Sequence, residues 1–599
     1  MAVKNNKISL IVLFAVLLTT PYVISHYDSI KKIWSSEKSN HQDVLNRYGF
    51  YLQDMTSDWG VHFTHHAPKL DSKLDHIMPQ VASVGASVSV SDFNNDGKQD
   101  FYLTNSEHGE PNALYENLGH GHFKNVAAQM GVADVNTKAT GVSTSSVWGD
   151  YDNDGYEDLF IAKWGKPMLF HNDKGKGFTK VDLGSEFPNW VNSNTALWFD
   201  YDNDGRLDLF LGGYYDENID LWNLKTTRIM PESFEYAKNG GRKYLFHNLG
   251  NGKFKEVSKQ LGLVSNRWTY AATAADVDHS GYPDLILAND YGVDELFLNQ
   301  DGKGFVNAAQ KVGIGFVPKS GMNASLGDVM NQGRLAIYIT NISEPGVLIQ
   351  GNSLWVPTLP SEKLHYQNLA EDLGISLGGW SYGAQFGDLN LDGNLDLYLA
   401  NGFVSGKKGT DYWYDFAKVA GGNKKIIADA KNWPAMKGRS LSGYQQNKIW
   451  INDGAGKFQE VADAVGGKLK LDSRSVALAD LNNDGTLEIL VASQGGPFKI
   501  YKNTVAASHN WVGFKLKGTK SNSSAIGAEV ELFWNSNQQV QIINSTSGFS
   551  AENQRPLYFG LGKSKSVRKA IIHWPSGYTQ TIKNPEINKL HTITESVPS

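Results

Sequence analysis

A nine-residue acidic turn recurs seven times in this chain, and few folds can accommodate such a repeat. Its copies start at Asp92, Asp150, Asp200, Asp276, Asp328, Asp388 and Asp480, on average about 65 residues apart. The clearest copy runs Asp150-Tyr151-Asp152-Asn153-Asp154-Gly155-Tyr156-Glu157-Asp158. Oxygen side chains at positions 1, 3, 5 and 9, with glycine at 6, suit a hard cation such as calcium held in a sharp bend. An EF-hand would be flanked by helices and would carry its bidentate glutamate at position 12. Here strand-like runs, 145–148 and 159–162, lie on either side.

A second motif follows most of the turns. It reads Leu114-Tyr115-Glu116-Asn117-Leu118-Gly119-His120-Gly121-His122-Phe123 and returns at 169–178, 245–254, 296–305 and 449–458. Each copy is a strand, an Asn/Gly hairpin turn, and a strand opened by phenylalanine. One repeat therefore holds four antiparallel strands. Seven such units stacked around an axis leave only short, protected edges, so the expected fold is a seven-bladed β-propeller over 48–508. After the seventh turn no Phe-strand follows, whereas Phe50-Tyr51-Leu52-Gln53-Asp54 copies one at the other end. That strand is expected to complete the last blade. Insertions at 212–243 and 402–446 hold helix-compatible stretches (231–237 and 412–420) and are rich in aromatic residues. Long loops on a rigid scaffold are common places for binding. From 509 to 599 the acidic turn disappears, and alternating strands predict a separate, small, sandwich-like β domain.

Six turns carry a full ligand set. The first offers Asp92, Asn94, Asp96 and Asp100, the second Asp150, Asp152, Asp154 and Asp158, and the third Asp200, Asp202, Asp204 and Asp208. The fourth offers Asp276, Asp278, Ser280 and Asp284, the sixth Asp388, Asn390, Asp392 and Asp396, and the seventh Asp480, Asn482, Asp484 and Glu488. The fifth has Asp328 but then Met330, Gln332 and Ala336, so it is expected to keep the turn without an ion. The formal charge of −6 is largely the work of these turns, which hold about a third of the 62 acidic residues. Unneutralised, four acids in nine residues would repel one another. Six structural Ca2+ ions, each tying two strands together, are the expectation.

The first 25 residues read as a signal peptide or signal anchor: Lys4 and Lys7 precede an apolar run from Ile8, and Pro21 interrupts it. A linker at 26–47 follows. The body is thus expected outside the cytoplasm, as a periplasmic, cell-surface or secreted protein, anchored or cleaved. The chain has no cysteine, which excludes disulfides, zinc–cysteine sites, thiol nucleophiles and lipoprotein anchoring. No nucleophile elbow, phosphate-binding loop or zinc-protease motif occurs. The acid pairs fall in the turns and are poor candidates for acid–base work. His62, His65, His66 and His76 read as structural histidines. No basic cluster with interleaved aromatics points to nucleic acid.

The turns at Asp150–Gly155 and Asp200–Gly205 resemble FG-GAP/VCBS repeats, also found in integrin alpha-chain propellers. The tail, with Ala525-Ile526-Gly527-Ala528, Tyr558-Phe559-Gly560-Leu561-Gly562 and Trp574-Pro575-Ser576-Gly577, is similar to the ASPIC/UnbV domain. Together they resemble the cartilage acidic protein 1 family, over residues 48 to 597. The resemblance implies a calcium-binding propeller, an extracytoplasmic location and interaction functions, and no established catalytic residues. The departures are the fifth turn and Tyr558, where histidine is usual. The expected role is a non-enzymatic binding or adhesion scaffold for a protein or glycan. A polysaccharide-acting lyase or hydrolase and an envelope-complex assembly factor are the alternatives.

Overall fold

The computed structural model of the chain describes residues 41–358 and 364–596. The leader expected at 1–25, and 26–40 of the expected linker, lie outside the described residues. Residues 41–48, the end of that linker, are helical. Among the described residues, no helix is long and apolar enough to cross a membrane.

Seven four-stranded antiparallel units succeed one another along the chain. The first blade joins Val88–Ser91, Asp100–Leu103, Ala113–Asn117 and Phe123–Asn125. The second joins Gly141–Gly149, Asp158–Gly165, Met168–Asn172 and Phe178–Lys180. The remaining blades repeat this order, and the acidic turn always links the first strand to the second. The seventh is completed from the other end of the chain: Phe50–Asp54 pairs with Lys499–Val505, Phe50 opposite Val505 and Asp54 opposite Tyr501. The ring is latched by that N-terminal strand.

First strands are buried on both faces, and their sequences show it: Gly-Val-Ser-Thr-Ser-Ser-Val-Trp-Gly in blade two is small at most positions. Residues near the axis have little room. A Cβ on Gly149 would stand 2.6 Å from the Trp198 ring of the next blade. Larger side chains fill the wedges between blades, as Trp148 does with Phe178 and Phe93.

The C-terminal region forms two sheets. Asn510–Lys517 lies between Leu557–Gly562 and Leu590–Thr594; Glu529–Trp534 lies between Asn537–Ile542 and Lys569–His573, with Thr579–Lys583 outermost. It is not set apart from the propeller, as its distinct sequence pattern suggests. Its core residues Phe514, Leu532 and Phe559 belong to one apolar cluster with Phe160, Trp198 and Leu209 of blades two and three. A segment leaves it, and 545–553 reaches the first strand of all seven blades. Ala551 and Glu552 pair with Val88 and Ser89. Glu552 accepts from Trp148 N, Ser545 Oγ bonds Trp198, and Thr546 O accepts from Thr273. Gly548 N donates to Ala324 O beside the first strand of blade five, Gln385 donates to Ser547 O, and Asn553 Oδ1 accepts from Leu478 N. A segment bonded to every blade must lie on the axis. It plugs the channel, held by the buried Arg555–Glu552 pair at 2.8 Å.

The insertions gather at the far end of the channel. Trp413–Ala420 is helical as expected, whereas 231–237 is not. There, Asn239 accepts from Glu232 N and donates to Met230 O, and Ala237 N donates to Tyr291 O. These outside partners replace helical bonding.

Candidate metal loops and the cavity on the opposite face

The acidic turns do two structural tasks before any metal is considered. Position 1 braces the turn. Asp150 Oδ1 accepts from Asp154 N at 2.9 Å and Oδ2 from Gly155 N at 2.7 Å. Asp328 of the fifth turn does the same with Gln332 and Gly333, at 2.8 and 2.7 Å. Position 4 clasps the next blade. Its backbone is left-handed, φ 59° at Asn153, which asparagine tolerates. The Asn153 amide then donates to Gly205 O at 2.9 Å. Asn95 reaches Gly155, Asn203 reaches Gly281, Asn331 reaches Gly393, and Asn483 reaches Gly97 across the closure.

The asparagine of the second motif clasps backward. Asn172 N donates to Asp158 Oδ1 at 2.7 Å, and its side-chain amide donates to Phe93 O of the preceding turn at 2.8 Å. Asn117, Asn248, Asn299 and Asn452 repeat the contact to Leu481, Tyr151, Tyr201 and Val329. Turn and clasp therefore account for positions 1, 4 and 9. The position-5 acids also brace the bend, as Asp154 does by accepting from Tyr156 N at 3.0 Å, but their remaining oxygens, and most of those at position 3, are surplus to it.

Those surplus acids converge in some turns and not in others. Acidic oxygens lie within 4.8 Å of one another for Asp150, Asp152 and Asp154, for Asp200, Asp202 and Asp204, and for Asp276, Asp278 and Asp284. Ser280 Oγ stands 3.5 Å from Asp276. Burial, reinforced by neighbouring carboxylates, pushes Asp200 and Asp284 up to about 8. In the first turn Asp92 Oδ1 and Asp100 Oδ2 are buried and accept no hydrogen bond. Hard oxygens gathered this closely fit a metal ion, and these clusters could hold one. In the first, sixth and seventh turns an asparagine holds position 3. Asn94, Asn390 and Asn482 each accept from the position-5 N–H, of Asp96, Asp392 and Asp484. Their acids are not drawn as closely together. Asp388 and Asp396 are buried, and burial holds both well above the usual carboxylate range. Glu488 Oε2 accepts from Leu481 N, while Asp480 and Asp484 stay on the turn. Lys515 Nζ stands 3.1 Å from Asp92, and Lys98 pairs with Asp96.

Three further side chains reach the turns. His171 Nδ1 lies 3.3 Å from both Asp152 and Asp158, and His247 Nδ1 lies 3.1 Å from Asp208. Glu116 Oε1 accepts from Asn94. All three directly precede the clasping asparagine, a position that holds Leu298 and Ile451 in other blades. That offset was the available signal. The four histidines read as structural are so where contacts show it. His65 is buried against Ser106, and burial pushes it down to about 3. His76 bonds Ala430 O.

The C-terminal domain covers the acidic turns. Ser523 and Ser524 bond Asp150, Val540 N donates to Asp328, and Trp511 lies against Gly485. Tyr558, the departure from histidine, is buried beside Trp511, with ring centroids 5.2 Å apart.

The opposite face is open and carries a cavity of about 440 Å3. Its walls include 70–84 and the insertions at 212–243 and 402–446, which share one apolar cluster, together with 317–322 and 347–350. Arg474, fully buried, ties them by donating to Gly402 O, Phe403 O and Ser83 Oγ, with its guanidinium 3.9 Å from the Tyr382 ring centre. Phe549, at the tip of the axial plug, packs against Tyr270 and Tyr382 at 5.6 and 5.3 Å.

Comparison with known proteins agrees with this layout. The model of the FG-GAP-like repeat matches 92–161, 150–211, 236–287 and 440–491, and the ASPIC and UnbV model matches 518–599. Cartilage acidic protein 1 of Xenopus tropicalis is 21% identical over 559 residues, covering 88% of this chain and 77% of that protein. The human protein is 19% identical over 347 residues, 57% of this chain and 46% of its own length. Among solved structures, an Agrocybe aegerita lectin that recognises non-reducing terminal N-acetylglucosamine matches at 14% identity and TM-score 0.35, covering 64% of this chain and 83% of its own. The exotype rhamnogalacturonan lyase YesX matches at 13% and TM-score 0.33, covering 70% and 72%. The chain therefore carries FG-GAP-like repeats and, at 518–599, an ASPIC and UnbV domain, and is similar along most of its length to cartilage acidic protein 1.

Proposed function

We propose that this chain is an exported, calcium-braced binding scaffold without catalytic activity, which presents one face of its propeller to a protein or glycan partner. The observation that carries this reading is the division of the two faces. The acidic turns lie under the C-terminal domain, while the long departures from the repeat all collect on the uncovered face. The propeller is thus a rigid ring with one end sealed and one end elaborated. Calcium would be structural: up to six ions, one in each turn with a full ligand set, would neutralise acids that the fold has already brought together. No ion is called for in the fifth turn, where the Asp328 carboxylate is occupied by three backbone N–H groups. Placement outside the cytoplasm rests on the basic and apolar start of the sequence, and an anchoring role for that segment remains part of the proposal.

The test is to present the full chain, in calcium, to a glycan array and to extracellular protein fractions, beside an assay for polysaccharide breakdown. Saturable binding without turnover, lost on chelation, is the expected result. Turnover that persists through repeated purification would overturn it.

A further inference from the structure

The cavity on the open face has a charge that the fold leaves uncompensated. Asp290 ends the second strand of blade four and lines the cavity. Its Oδ1 accepts from Tyr291 N and its Oδ2 from Tyr214 OH, both at 3.0 Å. Among the described residues no lysine, arginine or histidine pairs with it. Lys319, the one basic residue in the lining, is spent elsewhere: its Nζ donates to Gly351 O and Ser353 Oγ. Glu235, on the lining, adds a second acid. Burial without a counter-charge pushes Asp290 up to about 7. A buried carboxylate in this condition is costly unless a cation meets it.

The walls around it are aromatic. The Tyr214 and Tyr270 rings lie 4.4 Å apart, Tyr270 and Tyr382 lie 6.3 Å apart, and Trp380 stacks on Phe403 at 4.1 Å. Ring faces carry negative charge density and attract organic cations, most strongly when water is excluded. Three buried polar atoms in the lining have no partner. Gln80 Oε1 accepts nothing, and Asn194 Nδ2 and Trp380 Nε1 donate to nothing, although Asn194 Oδ1 takes the Trp164 indole N–H at 3.0 Å. All three side chains are more than nine-tenths buried. An acceptor and donors left over in one cavity match a ligand hydroxyl, which both donates and accepts. The volume falls within the range of small-ligand sites, about 300–1,000 Å3.

We infer that this cavity binds a small organic ammonium ion carrying a hydroxyl or similar hydrogen-bonding group, with the cation held by Asp290 among Tyr214, Tyr270 and Tyr291. The site is separate from the acidic turns. Its occupant is a free small molecule.

Calorimetric titration of the full chain in calcium tests this. The probes are choline and benzyltrimethylammonium, each beside its uncharged carbon isostere. Expected is saturable binding of the two cations, with the isosteres weaker by about tenfold or more, the factor that a desolvated cation–π contact and ion pair supply. Asp290→Asn removes the charge, keeps one carbonyl oxygen to accept from Tyr214 OH or Tyr291 N, and should weaken cation binding by a similar factor while leaving the isosteres unchanged. Equal binding of charged and uncharged probes would overturn the inference, as would no binding of either. The charge comparison uses the wild-type chain, so it stands even if the variant fails to fold. Neither result bears on the scaffold reading, which is judged by macromolecular binding and turnover.

Discussion

The second and fifth acidic turns share a backbone and differ in what their side chains are for. Both brace the bend with an aspartate at position 1, both place an asparagine in left-handed conformation at position 4, and both pass its amide to the next blade. In the second turn Asp152 and Asp154 then crowd against Asp150. In the fifth, Met330 and Gln332 stand there, and Val540 of the C-terminal domain supplies a third N–H to Asp328. Folding the ring and holding a metal are therefore separable. Positions 1 and 4 serve the fold in both turns; the acids at 3, 5 and 9 belong to the second turn alone, with Ala336 at position 9 of the fifth.

The largest test of that separation is removal of the ions. Exhaustive chelation should lower the melting temperature markedly and calcium should restore it. A site saturated a hundredfold contributes about 2.7 kcal/mol, and several sites act together. An unchanged melting curve would leave the surplus acids without a role. Next in size is loss of a backward clasp. Asn172→Ala abandons the Phe93 and Glu157 carbonyls and takes away the acceptor of Gly175 N, costing about 1–3 kcal/mol with or without calcium. A urea midpoint measured in both conditions checks it. A sharper pair compares Asp152→Ala with Asp328→Ala. The first should erode the calcium-dependent increment and leave the chelated protein nearly unaltered. The second should destabilise both states alike, again by about 1–3 kcal/mol, because three N–H groups lose their acceptor. The reverse result for either variant would merge the two tasks.

The sequence pattern carried the ring far. Spacing and the hairpin motif set seven blades, and Phe50–Asp54 was readable as the closing strand because the last repeat lacked one. It was blind where partners come from a distance. Position 4 looked like ordinary turn asparagine until its amide was seen on the following blade, about 50 residues away. The axial plug, Ser545 to Asn553, has no periodicity and meets all seven blades through scattered backbone contacts. His171 and His247 lie outside the acidic turn and join it only through strand pairing. Asp290 was invisible for the same reason: its tyrosines come from two blades, and a single acid in a strand carries no signal of a cage.

The smallest effect is the most specific. If the forward clasp is independent of the metal, Asn153→Ala and Asn331→Ala should each cost as much in calcium as in chelator. Asn153 loses its bond to Gly205 O and the one it accepts from Ser523 N; Asn331 loses those to Gly393 O and Asn394 and the one it accepts from Gln539. Each bond is worth about 0.5–1.5 kcal/mol net, and alanine is less tolerant of the left-handed backbone than asparagine. The Asn153 variant sits in a turn with converging acids, the Asn331 variant in one without them. Matching losses of urea midpoint, in calcium and in chelator, would place the clasp wholly in the fold. A loss at Asn153 that grows in calcium would show that the clasp also positions Asp152 and Asp154, so that ring closure and ion binding reinforce each other in the second turn and not in the fifth.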